Sequence, residues 1–471
     1  MNRVNRVAMV HGILLSLAMC AVAGTSARAD EPLAVGFAQH DITPDPVART
    51  VWMAGFGQGR KATAVHDPIG ARAVVLQAGG KSIALVSVDL IGLFHDSVER
   101  IRKQLDGFDY VLASSTHTHE GPDTMGLWGP NPATSGVDKD YLGRVEAGAA
   151  AAVRAAAARA ERVDAFFAAA ADPTLVADGR QPHVKDDEIR VLLFRRSTGK
   201  AAGILVQWNC HPETLDDKNT LVSSDFPHFT REYLEKVFDC PVAFFSGAIG
   251  GMMTSLGLEV RDEAGKKLED GTLEKTEVYG RRVGRFAEQA ARRAEPIRLT
   301  PMRVRSRRLF LPQDNPIYTT MFTLGVVDRR AFRWDGSSDS ATPTAGRLPM
   351  GRMAIESEVG VLRLGELTVV AVPGEIYPEL VRGGIQDPQD PAADFPNAAK
   401  EPVIFDAVGS GKRMIFGLAN DEIGYIIPKS QWDTKAPYCY GRTKPQYGEV
   451  NSLGPETASI LCDAIVRLLN E

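Results

Sequence analysis

Long apolar segments are scarce in this chain of 471 residues, which is 44% hydrophobic and 24% charged. After residue 29 no segment is both long and apolar enough for a membrane-spanning helix, which needs about 20 such residues. Nucleotide-binding glycine motifs are also missing, because "GSGKR" (409–413) has Asp406 where a phosphate loop needs glycine and "GFGQG" (55–59) has the wrong spacing. These absences argue against a stable membrane span and against a nucleotide-dependent enzyme.

Positive charge and cysteine are in short supply as well. Removing residues 1–29, which hold three arginines and no acidic residue, moves the net charge from −5 to −8, so a nucleic-acid partner is not expected. One of the five cysteines lies in that segment, and the spacing of the others matches no zinc–cysteine motif. In an oxidising compartment they could form one or two disulfides, with three full pairings open. These four are Cys210, Cys240, Cys439 and Cys462.

Residues 1–29 are predicted to form a secretory signal peptide. Arg3 and Arg6 precede an apolar run, and residues 27–29 read Ala-Arg-Ala, which fits an A-x-A cleavage site. The alternative is a membrane anchor, for which the apolar run is short. We expect cleavage near Ala29 and a periplasmic or secreted protein, with one catalytic-type domain over residues 30–471.

Short apolar runs alternate with helical patterns along the rest of the chain. Six runs are typical of buried strands and end in polar or glycine-rich turns: "SIALVSVDL", "YVLASSTHTH", "GILVQWNCH", "PVAFFSGAIGG", "LTVVAVPGE" and "RMIFGLAND". Helices are predicted over 143–162, 227–238, 278–294 and 456–470. This alternation predicts an α/β fold, a multilayer sandwich of largely buried mixed sheets flanked by helices. Functional groups should then lie at the carboxyl ends of the strands.

Two stretches are predicted to lie outside this regular pattern. Residues 312–350 are rich in Pro, Ser, Thr, Gly and Asp, which favours a long excursion or a lid. Residues 384–400 are predicted to be a loop.

A pair of histidines, His117 and His119, follows the second apolar run in "SSTHTHEGP". If the segment is extended, residues i and i+2 share a face, so both rings can reach one site. His211 and Glu375 end two other runs in the same way. Imidazoles and a carboxylate that converge at strand ends indicate a zinc site open to water or substrate, whereas an isolated His-x-His more often serves a turn.

Nine short motifs, taken in order, resemble the neutral/alkaline non-lysosomal ceramidase family. They are "DITP" (41–44), "HDPIGARAVVL" (66–76), "SSTHTHEGP" (114–122), "GRQP" (179–182), "NCHPET" (209–214), "SSDF" (223–226), "PGE" (373–375), "LANDEIGYIIP" (418–428) and "QYGEVNSLGP" (446–455). That family hydrolyses the amide of ceramide with zinc, on an α/β catalytic domain followed by an immunoglobulin-like domain. The resemblance extends over residues 35–470, so we expect the second domain to be missing.

The resemblance implies a metal site and a set of substrate contacts. Carried over by motif, the zinc ligands are His117, His211, Glu375 and Tyr425. His119, Arg180 and Tyr447 are implied to bind or polarise the scissile carbonyl. Alternatives remain open from the residues alone: Glu375 could cap a helix, the two tyrosines could be ordinary half-buried side chains, and Arg180 could pair with Asp178 or Asp186 at the surface.

The sequence departs from the family at its nucleophile. Where the family has a glycine-aspartate-x-serine turn, residues 250–253 read Gly-Gly-Met-Met, so Met253 stands in the serine position. A thioether cannot attack an amide as an alkoxide does. Zinc-bound water could attack directly, Thr254 could take over in a shifted register, or catalysis could be lost.

The sequence is therefore compatible with two functions. The first is an exported zinc-dependent amidohydrolase of the ceramidase type, acting on an N-acyl sphingoid or another N-acyl or carbonyl substrate. The second is a zinc-containing binding protein of the same fold without turnover, for which the missing serine is the motive. The partner is in either case a small molecule or lipid, and the sequence does not predict an oligomeric state.

Overall fold

The computed structural model of the chain describes residues 32–344 and 351–471. The predicted signal peptide and residues 345–350 of the expected lid lie outside the described residues. The architecture is α/β, as the alternation of runs and helical patterns predicts, with three mixed sheets and helices packed against them. Over both described ranges, no helix combines the length and the apolarity needed to cross a bilayer.

The first sheet joins one parallel pair to antiparallel neighbours. Tyr110–Ser115 runs parallel to Lys81–Val88, and every residue of Tyr110–Ser115 is buried. In spatial order the strands are Tyr110–Ser115, Lys81–Val88, Gly70–Ala78, Ala34–Asp41 and Glu161–Arg162. Burial on both sides explains why the parallel pair reads as continuous apolar or small residues.

The second and third sheets repeat this plan. In the second, Val242–Ser246 is parallel to Ala201–Trp208, and in the third, Leu367–Ala371 is parallel to Lys412–Phe416. The second sheet has the order Val242–Ser246, Ala201–Trp208, Glu188–Arg195, Asp164–Ala171 and Glu295–Ile297. The third has the order Ala341–Pro343, Phe332–Trp334, Met353–Leu364, Leu367–Ala371 and Lys412–Phe416, and Met302–Gln313 pairs with Met353–Leu364.

The six apolar runs of the sequence are the six strands of these three parallel pairs, so that prediction is confirmed. In each pair both strands end at the same edge of the sheet. Four short ribbons follow these and other strand ends: Ala64–Val65 with Leu221–Val222, Ala177–Asp178 with Met253–Thr254, Val260–Arg261 with Lys267–Leu268, and Glu375–Ile376 with Tyr425–Ile426.

A central apolar core lies where the three sheets face one another. Phe37 and Phe194 meet between the first and second sheets with ring centroids 5.8 Å apart, and Phe245 stacks on Phe416 of the third at 4.4 Å. The opposite face of each sheet carries a core of its own, covered by helices. Each sheet is thus buried on both faces, which is the multilayer sandwich that the sequence predicts.

The helices are His95–Arg102, Lys139–Ala158, Phe226–Phe238, Leu273–Arg292, Pro316–Leu324, Pro378–Arg382, Ile404–Val408 and Thr457–Asn470, with short 3-10 turns at Lys429–Gln431, Cys439–Gly441 and Glu449–Asn451. The boundary predicted for 143–162 is wrong at both ends. Asp138 caps the helix by accepting from the N–H groups of Asp140 and Tyr141, and residues 161 and 162 belong to a strand.

The stretch 312–350 is more regular than its composition suggests. It contains the Pro316–Leu324 helix, capped by Asn315, and two short strands of the third sheet, Phe332–Trp334 and Ala341–Pro343. The predicted loop over 384–400 lies outside helices and strands. The four cysteines are buried free thiols, so the described residues hold none of the disulfides that the sequence allows.

Candidate metal centre and active site

His117 occupies the turn that follows the Tyr110–Ser115 strand. Its backbone is in the left-handed region, with φ of 70°, which a non-glycine residue adopts only at a cost in strain. Its Nδ1–H donates to the carbonyl oxygen of Ile91 at 2.7 Å. The tautomer is therefore fixed, and the lone pair of Nε2 is left for a ligand.

His211 is held in the same manner after the Ala201–Trp208 strand. Its Nδ1–H donates to the carbonyl oxygen of Met253 at 2.9 Å, and that oxygen also accepts its backbone N–H at 2.8 Å. The side chain is 1% exposed, and its Nε2 lies 2.8 Å from Oε2 of Glu375. The same carboxylate oxygen is 3.5 Å from Nε2 of His117. One carboxylate oxygen thus faces both imidazoles.

Glu375 and Tyr425 are brought together by backbone pairing. They are direct partners in the parallel ribbon that follows the parallel pair of the third sheet, Leu367–Ala371 and Lys412–Phe416. The Tyr425 hydroxyl lies 3.5 Å from Nε2 of His211. The helix-capping alternative for Glu375 does not describe its surroundings. The N-cap position of the next helix, Pro378–Arg382, is Tyr377, and the Glu375 carboxylate faces the histidines instead.

His119 completes the cluster from the side of the first sheet. Its ring centroid is 5.0 Å from that of His117 and 5.8 Å from that of His211. It is 7% exposed, and neither of its ring nitrogens has a hydrogen-bond partner. Ligand nitrogens of the three histidines all lie within 4.8 Å of one another. A buried imidazole without a partner is costly unless something binds it, so the donor set fits a metal ion such as zinc.

Burial controls the ionisation of the three histidines. It lowers the pKa of His117 to about 4, and it lowers the pKa of His119 far below its ordinary value, with the neighbouring imidazoles adding to the effect. At His211 burial also disfavours the charged form, but the hydrogen bond to Glu375 and the charge of Glu213 outweigh it and raise the pKa to about 9. His117 and His119 are thus neutral at pH 7, the form in which imidazole binds a metal.

Tyr425 is protonated in these surroundings. Burial and the negative charge of Glu375 raise the pKa of its hydroxyl well above the usual value. A bound divalent cation reverses such a shift, because it stabilises the phenolate directly. Ligation by the Tyr425 oxygen, which the resemblance implies, therefore depends on the metal itself.

Arg180 and Tyr447 lie beside this cluster. Arg180 is 2% exposed, and its guanidinium binds both oxygens of Glu449 at 2.7 and 2.9 Å. It also donates to the carbonyl oxygens of Tyr447 at 2.7 Å and of Gln431 at 3.0 Å. The surface pairing with Asp178 or Asp186 does not occur, since only the backbone N–H of Arg180 meets Asp178.

The Tyr447 ring is half exposed and packs edge-on against Tyr425, with centroids 5.7 Å apart. Its hydroxyl accepts a hydrogen bond from the side-chain amide of Asn451. Burial raises the pKa of this hydroxyl to about 12, so it is a neutral donor at the mouth of the cluster.

The turn at residues 250–253 points two methionines in different directions. Met253 is 0% exposed and its side chain lies in the core under the second sheet. Met252 has a left-handed backbone, with φ of 65°, and its Sδ accepts a hydrogen bond from the Tyr425 hydroxyl at 3.4 Å. The thioether that reaches the cluster from this turn is therefore that of Met252.

Thr254 and Glu213 form a contact that the sequence did not predict. The Thr254 hydroxyl donates to Oε1 of Glu213 at 2.6 Å, and Oε2 of Glu213 is 3.7 Å from Nδ1 of His119. Glu213 is 4% exposed, and burial raises the pKa of its carboxyl. The sequence offers little to identify Glu213 as a functional residue beyond its position two residues after His211.

A second group with ligand-type side chains does not form a comparable site. His95, Glu99 and Glu358 also lie within 4.8 Å of one another. Arg102, however, donates to Glu99 and to both oxygens of Glu358 at 2.7 to 3.0 Å. The guanidinium occupies the place of a cation, so the three-histidine cluster is the better candidate among the described residues.

No protein-family model and no curated protein sequence matches this chain. Two solved structures align with almost all of it. Neutral ceramidase from Pseudomonas aeruginosa superposes with a TM-score of 0.70 and 17% identity, over 93% of this chain and 74% of that chain. A ceramidase complexed with C2 superposes with a TM-score of 0.67 and 18% identity, over 93% of this chain and 75% of that chain.

The chain has a ceramidase-like fold. Within this fold the three histidines, Glu375 and Tyr425 follow the carboxyl ends of strands from all three sheets, where α/β proteins bind their ligands. At 17–18% identity this likeness concerns the backbone.

Proposed function

We propose that the chain is an exported zinc-dependent hydrolase that cleaves the amide of an N-acyl substrate, such as an N-acyl sphingoid lipid. The supporting observation is the convergence of three buried imidazoles and a carboxylate at the strand ends of a ceramidase-like fold. Neither ring nitrogen of His119 is satisfied by the protein. A purely structural cluster would leave these groups at a cost of about 1–3 kcal/mol each.

The ligands in this proposal are His117, His211, Glu375 and Tyr425. The first two are pre-organised by their Nδ1–H bonds to backbone carbonyls, and such outer contacts orient ligands in metal sites. Zinc supplies a Lewis acid that polarises a carbonyl oxygen and lowers the pKa of bound water to roughly 7. His119 is left facing the substrate at the side of this centre.

Arg180 acts in this proposal by positioning Tyr447. Its two terminal nitrogens are used by Glu449 and by the carbonyl oxygens of Tyr447 and Gln431, so they are not free for the scissile carbonyl. The Tyr447 hydroxyl, half exposed beside Tyr425, is the donor placed to meet the substrate.

Water is the proposed attacking group. Met252 and Met253 carry no nucleophile, and the Thr254 hydroxyl is engaged on both sides, since it donates to Glu213 and accepts the N–H of Leu256 at 3.0 Å. An attack by Thr254 would first have to break these contacts. The serine-dependent route of the ceramidase family is therefore not assigned to this chain.

An apolar rim supports a substrate with a hydrocarbon chain. Ile317, Tyr447 and Val450 are 44%, 48% and 45% exposed. The Ile317 and Val450 segments are joined because the Asn315 amide donates to the carbonyl oxygen of Val450 at 2.9 Å. The rim thus borders Tyr425 and the metal centre.

Metal content tests the ligand assignment. The purified protein is expected to hold about one zinc per chain, and His117→Ala and His211→Ala are each expected to lose it. His66→Ala is the matched control, since this exposed histidine contacts Asp67 at 2.8 Å and takes no part in the cluster. Zinc retained in both ligand variants would contradict the site.

A hydrolysis screen tests the reaction. N-acyl lipids, acylated amino compounds and simple esters are offered to the protein before chelation, after chelation and after zinc is restored. Turnover of an amide that disappears with the chelator and returns with zinc supports the proposal. Saturable binding of these compounds without product would instead favour the binding protein, for which the missing serine is the motive. Mass spectrometry of the exported protein tests cleavage near Ala29.

A further inference from the structure

The His119 ring has no hydrogen-bond partner, although the neighbouring rings of His117 and His211 each have one. His117 and His211 each donate Nδ1–H to a backbone carbonyl, whereas both nitrogens of His119 are unsatisfied. The acceptor nearest to its Nδ1 is Oε2 of Glu213, at 3.7 Å. A closing movement of about 0.8 Å would bring this pair to ordinary hydrogen-bond length.

Glu213 is built to make that contact. Its Oε1 accepts the Thr254 hydroxyl at 2.6 Å, which fixes the carboxylate and turns Oε2 towards His119. The Glu213 backbone N–H is tied to the carbonyl oxygen of His211 at 3.0 Å, so the turn itself is anchored beside the cluster. Catalytic hydrogen bonds that are long in a ligand-free site commonly tighten when substrate binds.

The opposite side of the His119 ring is also fixed. Phe56 packs edge-on against the ring with centroids 4.9 Å apart, and the Arg60 guanidinium donates to the backbone carbonyl of His119. Arg60 is in turn paired with the buried Glu120 at 3.1 Å. Packing thus fixes the position of the His119 ring. The nearby acceptor that can select its tautomer is the Glu213 carboxylate.

We propose that Glu213, held by Thr254, is the positioning residue of His119. It accepts Nδ1–H, keeps the proton on that nitrogen, and so presents the lone pair of Nε2 to the centre shared with His117 and His211. This changes the role expected from the sequence, because a neutral His119 in this tautomer accepts a hydrogen bond at Nε2 and cannot donate one to an oxyanion. The inference rests on the proposed function, and its spectroscopic test does not require turnover.

The test compares four variants with the wild type in the full chain, and a fifth variant serves only for spectral assignment. Long-range ¹H–¹⁵N spectra of ¹⁵N-histidine-labelled protein report the tautomer of His119, assigned with His119→Gln. Glu213→Met keeps the length of the side chain and removes the acceptor, and Thr254→Val removes the hydroxyl that fixes Glu213. Thr254→Ser restores that hydroxyl, and Ser255→Ala is the control, because the neighbouring Ser255 pairs with Thr214 instead.

The wild type is expected to carry the His119 proton on Nδ1. In Glu213→Met it should move to a mixture of tautomers, with kcat reduced about 10- to 100-fold and KM changed little. Thr254→Val should shift both readouts in the same direction, and Thr254→Ser and Ser255→Ala should match the wild type. Zinc content equal to that of the wild type shows that each variant is folded.

An unchanged His119 tautomer and unchanged kcat in Glu213→Met would overturn the inference. Loss of activity in Thr254→Val with accumulation of an acyl-enzyme in the wild type would also overturn it, since Thr254 would then be the nucleophile. If the wild type has no hydrolytic activity but the tautomer still responds to Glu213→Met, the positioning contact stands and the proposed reaction falls.

Discussion

Replacing Arg180 with alanine separates a structural role from a catalytic one. The guanidinium is 2% exposed and makes four hydrogen bonds, two of them to Glu449, which is itself 6% exposed. Removing one partner of a buried ion pair leaves the other charge without compensation, at a cost of about 3–5 kcal/mol. We therefore expect Arg180→Ala to lower the free energy of unfolding by that amount.

Urea unfolding followed by tryptophan fluorescence measures this change, and the chain has five tryptophans. Arg281→Ala is the matched control, because Arg281 pairs with Glu277 at 2.8 Å while 47% exposed, and such surface pairs contribute about 0–1 kcal/mol. The double variant Arg180→Met/Glu449→Leu should recover much of the loss, since it leaves no unpaired charge. A loss below about 1 kcal/mol in Arg180→Ala, together with a large fall in kcat, would refute this reasoning and return Arg180 to the substrate.

Three further predictions concern backbone, pH and metal. Gly55→Ala should displace His119 and abolish turnover, because φ is 103° and a Cβ would lie 2.4 Å from the His119 ring, whereas Gly57→Ala meets open space and should be silent. Burial raises the pKa of Glu379 to about 8, so folding stability should fall as pH rises from about 4.5 to 8, and thermal unfolding of Glu379→Gln should show a smaller fall. Chelation should lower the melting temperature, and zinc at about 1,000 times its Kd should restore about 4 kcal/mol.

Each of these has an outcome that would count against it. Equal activity in Gly55→Ala and the wild type would mean that the His119 ring has room to move. For Glu379 the sign follows from the raised pKa: the folded state keeps the proton up to about pH 8, the unfolded state releases it near 4.5, and the unfolded state is favoured in between. A pH profile of Glu379→Gln identical to that of the wild type would exclude this account. A melting temperature indifferent to chelation and zinc would exclude a structural contribution of the metal.

Much of the fold follows from local patterns. The six apolar runs became six buried strands because continuous apolar residues suit strands covered on both faces. The order of the motifs also predicted that His117, His211, Glu375 and Tyr425 meet, and the ribbon that pairs Glu375 with Tyr425 gives the physical reason for the last two.

The parts that could not be predicted depend on long-range contacts or on single dihedral angles. Arg180 and Glu449 are 269 residues apart in the sequence, and no local pattern near either residue predicts that they form an ion pair. The left-handed backbone at Met252 decides which of two adjacent methionines faces Tyr425. The role of Glu213 could not be predicted from the sequence, because it depends on contacts with Thr254 and His119, which lie on other segments of the chain.

The separation along the chain of the residues proposed as zinc ligands has a consequence for biosynthesis. His117 and Tyr425 are 308 positions apart, and each of the three sheets contributes at least one group to the centre. A growing chain folds from its N-terminus, so a nascent chain holds at most part of the ligand set until residue 425 has left the ribosome. In the proposed metalloenzyme, the metals available where the last of these segments docks would therefore decide which ion is bound, since affinity alone would favour copper over zinc. For the exported hydrolase proposed above, that step falls at the end of folding, in the compartment of destination.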